Sequence, residues 1–308
     1  MVNFRKLAWK GLIYYGMFRT ALWALRLTSN TLIRTFKAVQ SHRSLYASKD
    51  KPSYAVITGG SGGLGFAFAH QLAAKGFNIV LIARDLKKLE GSAEKLRESY
   101  NVTVRCISFD FSDAENPNAW IKLADDLKDL DIAILVNNIG GYGWSSYEKQ
   151  EEENIQSLIN NCIYGTTFMT RIVLPGMLQR KERSAVISVG SFTGESVLPT
   201  TAANCAAKRY IHRLTLALAR DYEDKKIDFL CLIPGLIDTP GLKEWKSGKP
   251  TLVSSAEDVA AATLSQVKTA NQRGNLTHGT FNHCLFNWLQ QNCVTRRAFV
   301  KRTFGLTL

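Results

Sequence analysis

The sequence lacks several features that would fix its class at once. Its first fifty residues hold no apolar run near the roughly 18–20 residues that a spanning helix needs. The longest charge-free runs there are Gly11–Phe18 and Leu27–Ile33, interrupted by Lys10, Arg19, Arg26 and Arg34. Six cysteines are scattered without one Cys-x-x-Cys pair, which excludes a disulfide framework and points to reduced thiols. His212, His278 and His283 show no metal-ligand spacing, so no metal site is expected. Internal repeats and low-complexity segments are missing too. Acid is nearly absent from the start of the chain: residues 1–51 carry ten Lys/Arg against the single acid Asp50.

That last deficit locates the charge. The net charge is +13, and outside residues 1–51 the surplus lies in Arg296, Arg297, Lys301 and Arg302. Residues 52–295 hold 25 basic and 25 acidic residues. A nucleic-acid face would be spread over the domain and would bring a motif, and neither is present. Basic ends on a neutral body point to docking on an acidic membrane surface or in a membrane-protein complex. Arg19, Arg26 and Lys37 share one helical face and leave Leu12, Trp23, Leu27 and Phe36 elsewhere. This predicts an amphipathic interfacial helix rather than a span. The Arg-rich, acid-poor composition is that of a mitochondrial transit peptide. A retained anchor at the mitochondrial inner membrane is the expected location, with the endoplasmic reticulum as the alternative. The expected domains are a basic extension over 1–50, an α/β domain over 51–280 and a basic helical tail over 281–308.

The α/β domain is organised around Tyr54-Ala55-Val56-Ile57-Thr58-Gly59-Gly60-Ser61-Gly62-Gly63-Leu64-Gly65. A β-branched run feeds a glycine-rich turn, and the turn feeds a helical pattern beginning at Phe66. Glycines let the backbone turn tightly against a pyrophosphate, and the helix N-terminus offers unpaired N–H groups. Downstream, strands are predicted at 78–84, 103–111, 131–136, 185–189 and 228–233. Helices are predicted at 86–99, 119–130, 148–180 and 200–222. Such alternation implies a doubly wound, Rossmann-like parallel sheet covered on both faces. Arg84 ends the second strand, where an acid would select NAD and an arginine accommodates the 2′-phosphate of NADP(H), although Asp85 follows directly.

The Thr-Gly-x-x-x-Gly-x-Gly spacing of Thr58, Gly59, Gly63 and Gly65 resembles the short-chain dehydrogenase/reductase family. The resemblance extends to Asp110, to Asn137-Asn138-Ile139-Gly140, and to Pro234-Gly235-Leu236-Ile237-Asp238-Thr239. It implies a cofactor site built from Thr58, Gly59, Ser61, Gly63, Leu64, Gly65, Arg84, Asp110, Asn137, Gly140, Lys208, Pro234, Gly235, Ile237 and Thr239. It also implies that Asp110 contacts the adenine, that Gly140 leaves room for the ribose, and that Ile237 and Thr239 lie by the nicotinamide. Helices 148–180 and 200–222 are the family's usual dimer surface, so a homodimer is one expected assembly.

The family's catalytic tetrad is only half present. Lys208 occupies the lysine of Tyr-x-x-x-Lys, and Ser191, thirteen residues before the tyrosine position, occupies the serine. The tyrosine position is Asn204 and the relay asparagine position is Cys162, with Asn161 beside it. An amide gives up no proton near neutral pH, and losing a positioned acid costs about 10²–10⁴-fold in rate. Tyr164, Tyr142 or a water held by Ser191 and Lys208 are the substitute donors to test, while Tyr210 points off that face. Val173-Leu174-Pro175-Gly176-Met177 and Lys249-Pro250-Thr251-Leu252-Val253 are similar to the ketoacyl-CoA reductase and hydroxysteroid dehydrogenase group. That group includes inactive members that have lost the tyrosine. Two readings follow: a pseudoenzyme holding NADP(H) as an accessory protein at a membrane, or an NADPH-dependent reductase of 3-oxoacyl-CoA or steroid ketones.

Overall fold

A computed structural model describes residues 45–113, 116–141, 145–196, 198–239, 242 and 252–292. They belong to the unit that spans residues 42–308. The expected amphipathic helix of the extension and the four basic residues near the C-terminus lie outside the described residues.

Seven parallel strands form one sheet: β1 (Ser53–Thr58), β2 (Asn78–Ala83), β3 (Val104–Ser108), β4 (Asp131–Asn137), β5 (Ser184–Val189), β6 (Ile227–Leu232) and, closing one edge, the two-residue β9 (Leu276–Thr277). Their spatial order is β3-β2-β1-β4-β5-β6-β9. β1, β2, β4, β5 and β6 are buried on both faces, so they read as largely apolar runs. Alternate residues feed opposite layers. Ala55 and Ile57 pack under α1 (Gly63–Ala73), α2 (Leu86–Ser99) and α7 (Ala256–Val267). Val56, Val80 and Ile82 pack under α3 (Pro117–Leu127) and α5 (Gly165–Leu178). Chain order reverses between β1 and β4, which opens a crevice at the strands' carboxyl ends, where open α/β sheets bind ligands. A separate two-stranded ladder, β7 (Ile237–Asp238) with β8 (Ser254–Ser255), flanks that crevice.

The predicted helix over 148–180 is interrupted. A 3₁₀ turn at Tyr147–Lys149 precedes α4 (Glu152–Ile159), and a π turn at Asn160–Tyr164 joins α4 to α5. The Gly165 N–H reaches back to the Asn160 carbonyl, the i→i+5 bond of a π turn. The Asn160 side chain is meanwhile held by the Ser112 carbonyl at 2.7 Å. The third strand stops at Ser108, so Asp110 stands in the turn beyond it, accepting from the Ser112 N–H and hydroxyl.

The boundary expected at residue 50 falls inside the folded unit. Tyr46 is fully buried in the sheet core and donates its hydroxyl to Asp228 on β6 at 2.7 Å. Burial and the Asp228 carboxylate push the Tyr46 phenol far above its ordinary pKa, so it stays a neutral donor. Arg183 forks onto Asp228, and the Tyr46 carbonyl accepts from Arg180. Arg180 in turn pairs with Asp131, which also takes Ser53 at 2.7 Å and Lys51 at 3.2 Å. The amino ends of β1, β4 and β6 are thus tied by carboxylates that each have several donors, as buried charge requires. Tyr46→Ala is expected to cost about 3–5 kcal/mol and Tyr46→Phe about 1–2 kcal/mol of unfolding free energy in urea denaturation. A chain starting at residue 51 should lose at least as much as Tyr46→Ala.

Candidate functional site

The glycine turn works through close approach. Thr58 ends β1, and its Oγ1 accepts from the Asn138 and Ile139 N–H groups at 2.9 and 3.0 Å. The Asn138 side-chain amide donates back to the carbonyls of Thr58 and Gly59. Helix α1 then packs so tightly that a Cβ on residue 65 would lie 2.2 Å from the Gly59 oxygen and 2.7 Å from Asn138 Nδ2. Gly59 and Gly63 take positive φ values of 64° and 52°, which L side chains resist. No side chain caps α1, so its first-turn N–H groups face the crevice.

The crevice comprises two adjoining cavities of about 440 and 540 Å³, which share Gly59, Ser61, Ile139, Gly140 and Gly141. The second runs past the carboxyl ends of β2 and β3 and is lined by Arg84, Asp85, Lys88 and Asp110. Asp85 is the N-cap of α2: its carboxylate accepts the Lys88 N–H at 3.0 Å and lies 3.6 Å from the Lys88 ammonium. The Lys88 N–H holds this carboxyl below its ordinary pKa. Its acceptor capacity is therefore partly spent on the helix, and two cations, Arg84 and Lys88, share this wall with Asp85 and Asp110.

The first cavity runs over β5 and β6. Ser191 caps the 3₁₀ turn Phe192–Gly194 by accepting from the Thr193 N–H. Helix α6 (Ala202–Asp221) brings Asn204 and Lys208 to the same wall, four residues apart and on one face. The buried Lys208 donates from Nζ to the Val189 carbonyl at 3.2 Å, and that Nζ lies 3.1 Å from where a Cβ on Gly140 would stand. The Asn204 amide is engaged at both ends. Its Oδ1 accepts from the Thr193 hydroxyl at 2.9 Å, and its Nδ2 donates to the Gly141 carbonyl at 3.1 Å. Among the described residues lining this cavity, Lys208 is the one ionisable side chain.

A family model for short chain dehydrogenases matches residues 53–250. The chain belongs to the short-chain dehydrogenase family. Its curated relatives include very-long-chain 3-oxoacyl-CoA reductase of Rattus norvegicus, 29% identical over 97% of this chain and 98% of that protein. The Mus musculus reductase is 31% identical over 91% and 90%. Inactive hydroxysteroid dehydrogenase-like protein 1 of Homo sapiens is 35% identical over 60% of this chain and 56% of that protein. Among solved structures, a Sphingobium yanoikuyae short-chain dehydrogenase in complex with NADPH superposes with a TM-score of 0.67 at 23% identity. That likeness covers 84% of this chain and 99% of the other, and at this identity it speaks for the fold.

Set on this member of the short-chain dehydrogenases, the expected residues divide. Gly59, Ser61, Gly63, Leu64, Arg84, Asp110, Gly140, Lys208, Pro234, Gly235, Ile237 and Thr239 line the two cavities, as do Ser191 and Asn204. Thr58, Gly65 and Asn137 stand behind the wall: Asn137 is buried and donates to Thr170 Oγ1 at 2.9 Å. Its neighbour Asn138 is the asparagine on the cavity. Cys162 is fully buried among Leu158, Ala207, Ile211, Cys231 and Ile233, so an apolar cluster fills the relay position. Asn161 lines the other cavity and donates to Ser157. Of the substitute donors, Tyr164 is exposed and stacks on Phe168, away from the first cavity, and Tyr142 lies outside the described residues. Tyr210 bonds Thr167.

Three wall residues, Phe192, Thr193 and Lys88, escape sequence reading because no motif names them; Thr193 is identifiable only through its bond to Asn204. No group of three or more His, Cys, Asp or Glu able to hold a metal occurs among the described residues. Helix α8 (Phe281–Asn292), expected to belong to a separate tail, packs into the domain with Phe286 fully buried against Phe192. Gly65→Ala is expected to destabilise the ligand-free protein by about 1–3 kcal/mol through overpacking, read by urea denaturation. The nearest clashing atom, the Gly59 carbonyl oxygen, is backbone and cannot swing away.

Proposed function

We propose that this short-chain dehydrogenase is a pseudoenzyme that retains an NADP(H) site and serves as an accessory or structural protein at a membrane. The observation that carries the reading is the Asn204 amide, bound on one side to Thr193 and on the other to Gly141. Carbonyl reduction needs a proton at the substrate oxygen, and the position that supplies it in the family is held by a group that releases none. The inactive human relative shows that such members exist beside reductases.

The crevice fits a dinucleotide: its two cavities join along Gly59, Ser61, Gly140 and Gly141, and it meets an uncapped helix N-terminus. Ser61 to Leu64 would hold the pyrophosphate, and Lys208 with Ser191 the nicotinamide ribose. Arg84 and Lys88 would hold a 2′-phosphate, with Asp85 occupied as a cap. When bound, the cofactor supplies a hydride donor and a stabilising ligand. With no turnover, the second role remains: ligand bound only to the native state raises stability by mass action.

The reductase reading has its own support, because relatives matching nearly the full chain are very-long-chain 3-oxoacyl-CoA reductases and Ser191 and Lys208 are kept. The membrane reading rests on the basic composition of both ends, with the mitochondrial inner membrane as the proposed site ahead of the endoplasmic reticulum. Among the described residues no helix is long and apolar enough to cross a membrane.

Titration with NADPH, followed by tryptophan-to-nicotinamide energy transfer, should show binding and a raised melting temperature. Adding a long-chain 3-oxoacyl-CoA should then oxidise none of it. Oxidation that disappears in Lys208→Ala would replace the pseudoenzyme reading with the reductase. The double variant Arg84→Ala/Lys88→Ala should bind NADPH about ten- to hundredfold more weakly, as loss of charge-assisted bonds implies, with NADH binding unchanged.

A further inference from the structure

We propose that helix α8 is the strut that sets the nicotinamide half of the cofactor cavity, with His283 as its positioning residue. This rests on the cofactor reading above. His283, Phe286 and Asn287 occupy positions i, i+3 and i+4, one face of the helix. All three are buried, and each meets a loop that builds the first cavity.

His283 has no exposed surface, and its Nε2 lies 2.8 Å from the carbonyl of Leu236, in the Pro234–Thr239 segment that lines the cavity. A carbonyl only accepts, so Nε2 carries the hydrogen. The same carbonyl takes the Ser254 N–H at 3.1 Å, and between them the two donors pin the segment. Burial holds the His283 imidazole below its ordinary pKa, consistent with a neutral ring in one tautomer. The ring also fills a space that only glycine leaves: a Cβ on Gly235 would lie 2.9 Å from His283 Cδ2 and 3.4 Å from Phe286 Cδ1. At the other end of Pro234-Gly235, His278 Nδ1 sits 3.2 Å from the Ile233 carbonyl. Two histidines outside the family motif therefore hold the carbonyls that bracket the cavity's Pro-Gly step.

The second loop is held as firmly. Phe286 meets Phe192, the residue after Ser191, edge to face at 5.1 Å between ring centroids. Asn287 donates to the Glu195 carboxylate at the end of the same turn. No described residue of α8 lines either cavity; its contacts with Gly235, Leu236 and Phe192 reach walls of the first, whereas the walls of the adenine cavity come from α2, α4 and the turns after β1, β2, β3 and β4. The helix thus acts on one half of the crevice only, and that asymmetry makes the proposal testable.

The test compares two ligands on the full-length protein: NADPH, which spans both cavities, and 2′,5′-ADP, which fills the adenine end alone. In His283→Ala, NADPH affinity should fall about tenfold, the effect of one buried hydrogen bond with its packing, while 2′,5′-ADP affinity stays within twofold. His283→Gln, which keeps an N–H donor, should recover most of the loss. Equal weakening of both ligands, or none for NADPH, overturns the positioning role. A wild-type protein that binds neither ligand refutes the cofactor reading instead. The strut is then judged on the ligand-free chain: amide hydrogen exchange over residues 236–239 should quicken in His283→Ala while β1 and β4 stay protected. Unchanged exchange there overturns it.

Discussion

The whole crevice depends on how near α1 comes to the ends of β1 and β4. At residue 65 the space between helix and strand is smaller than a methyl group, and the Gly59 carbonyl occupies it. Thr58 and Asn138 exchange hydrogen bonds across the same junction, so the two central strands end in register and their following loops are fixed together. This is packing at the limit of what a polypeptide can do, and it leaves no freedom to the surrounding turns. The adenine wall hangs from it through the Ser92 hydroxyl, which donates to the Ser61 carbonyl. The first cavity adjoins it at Gly59, Asn138 and Gly140.

Asn204 stands where the resemblance places a tyrosine, and its amide is bonded at both ends. Its amide spans from the turn after β5 to the loop after β4, linking two walls of the cavity with a donor and an acceptor that are both used. Buried polar groups stay stable only when paired in this way. Around it, Cys162 has turned the old relay position into part of an apolar cluster, and Cys231 in that cluster has its thiol pushed up to about 12 by burial.

Much of this was legible in the residues. Strands buried on both faces announce themselves as β-branched runs, and their alternation with helical segments gave the parallel sheet. Motifs contiguous in sequence, such as the glycine turn and Pro234–Thr239, could be placed directly on the cavity. What escaped depends on long-range contact. Tyr46 sits in a basic stretch and gives no sign of its partner on β6. The π turn at Asn160–Tyr164 is a single slipped hydrogen bond, invisible to a periodicity of 3.6. Asn137 and Asn138 are alike in the string, and only the pleat turns one toward α5 and the other toward the cavity. His283 reaches a carbonyl 47 residues earlier in the chain.

The Tyr46–Asp228 bond joins positions 182 residues apart. A chain is made from its N-terminus, and domains fold as their parts emerge. Tyr46 must therefore wait through the synthesis of β1 to β5 before its acceptor exists, since Asp228 lies in the sixth strand to be made. Until then the amino ends of β1 and β4 are joined through Asp131, and that of β6 is not yet tied to them.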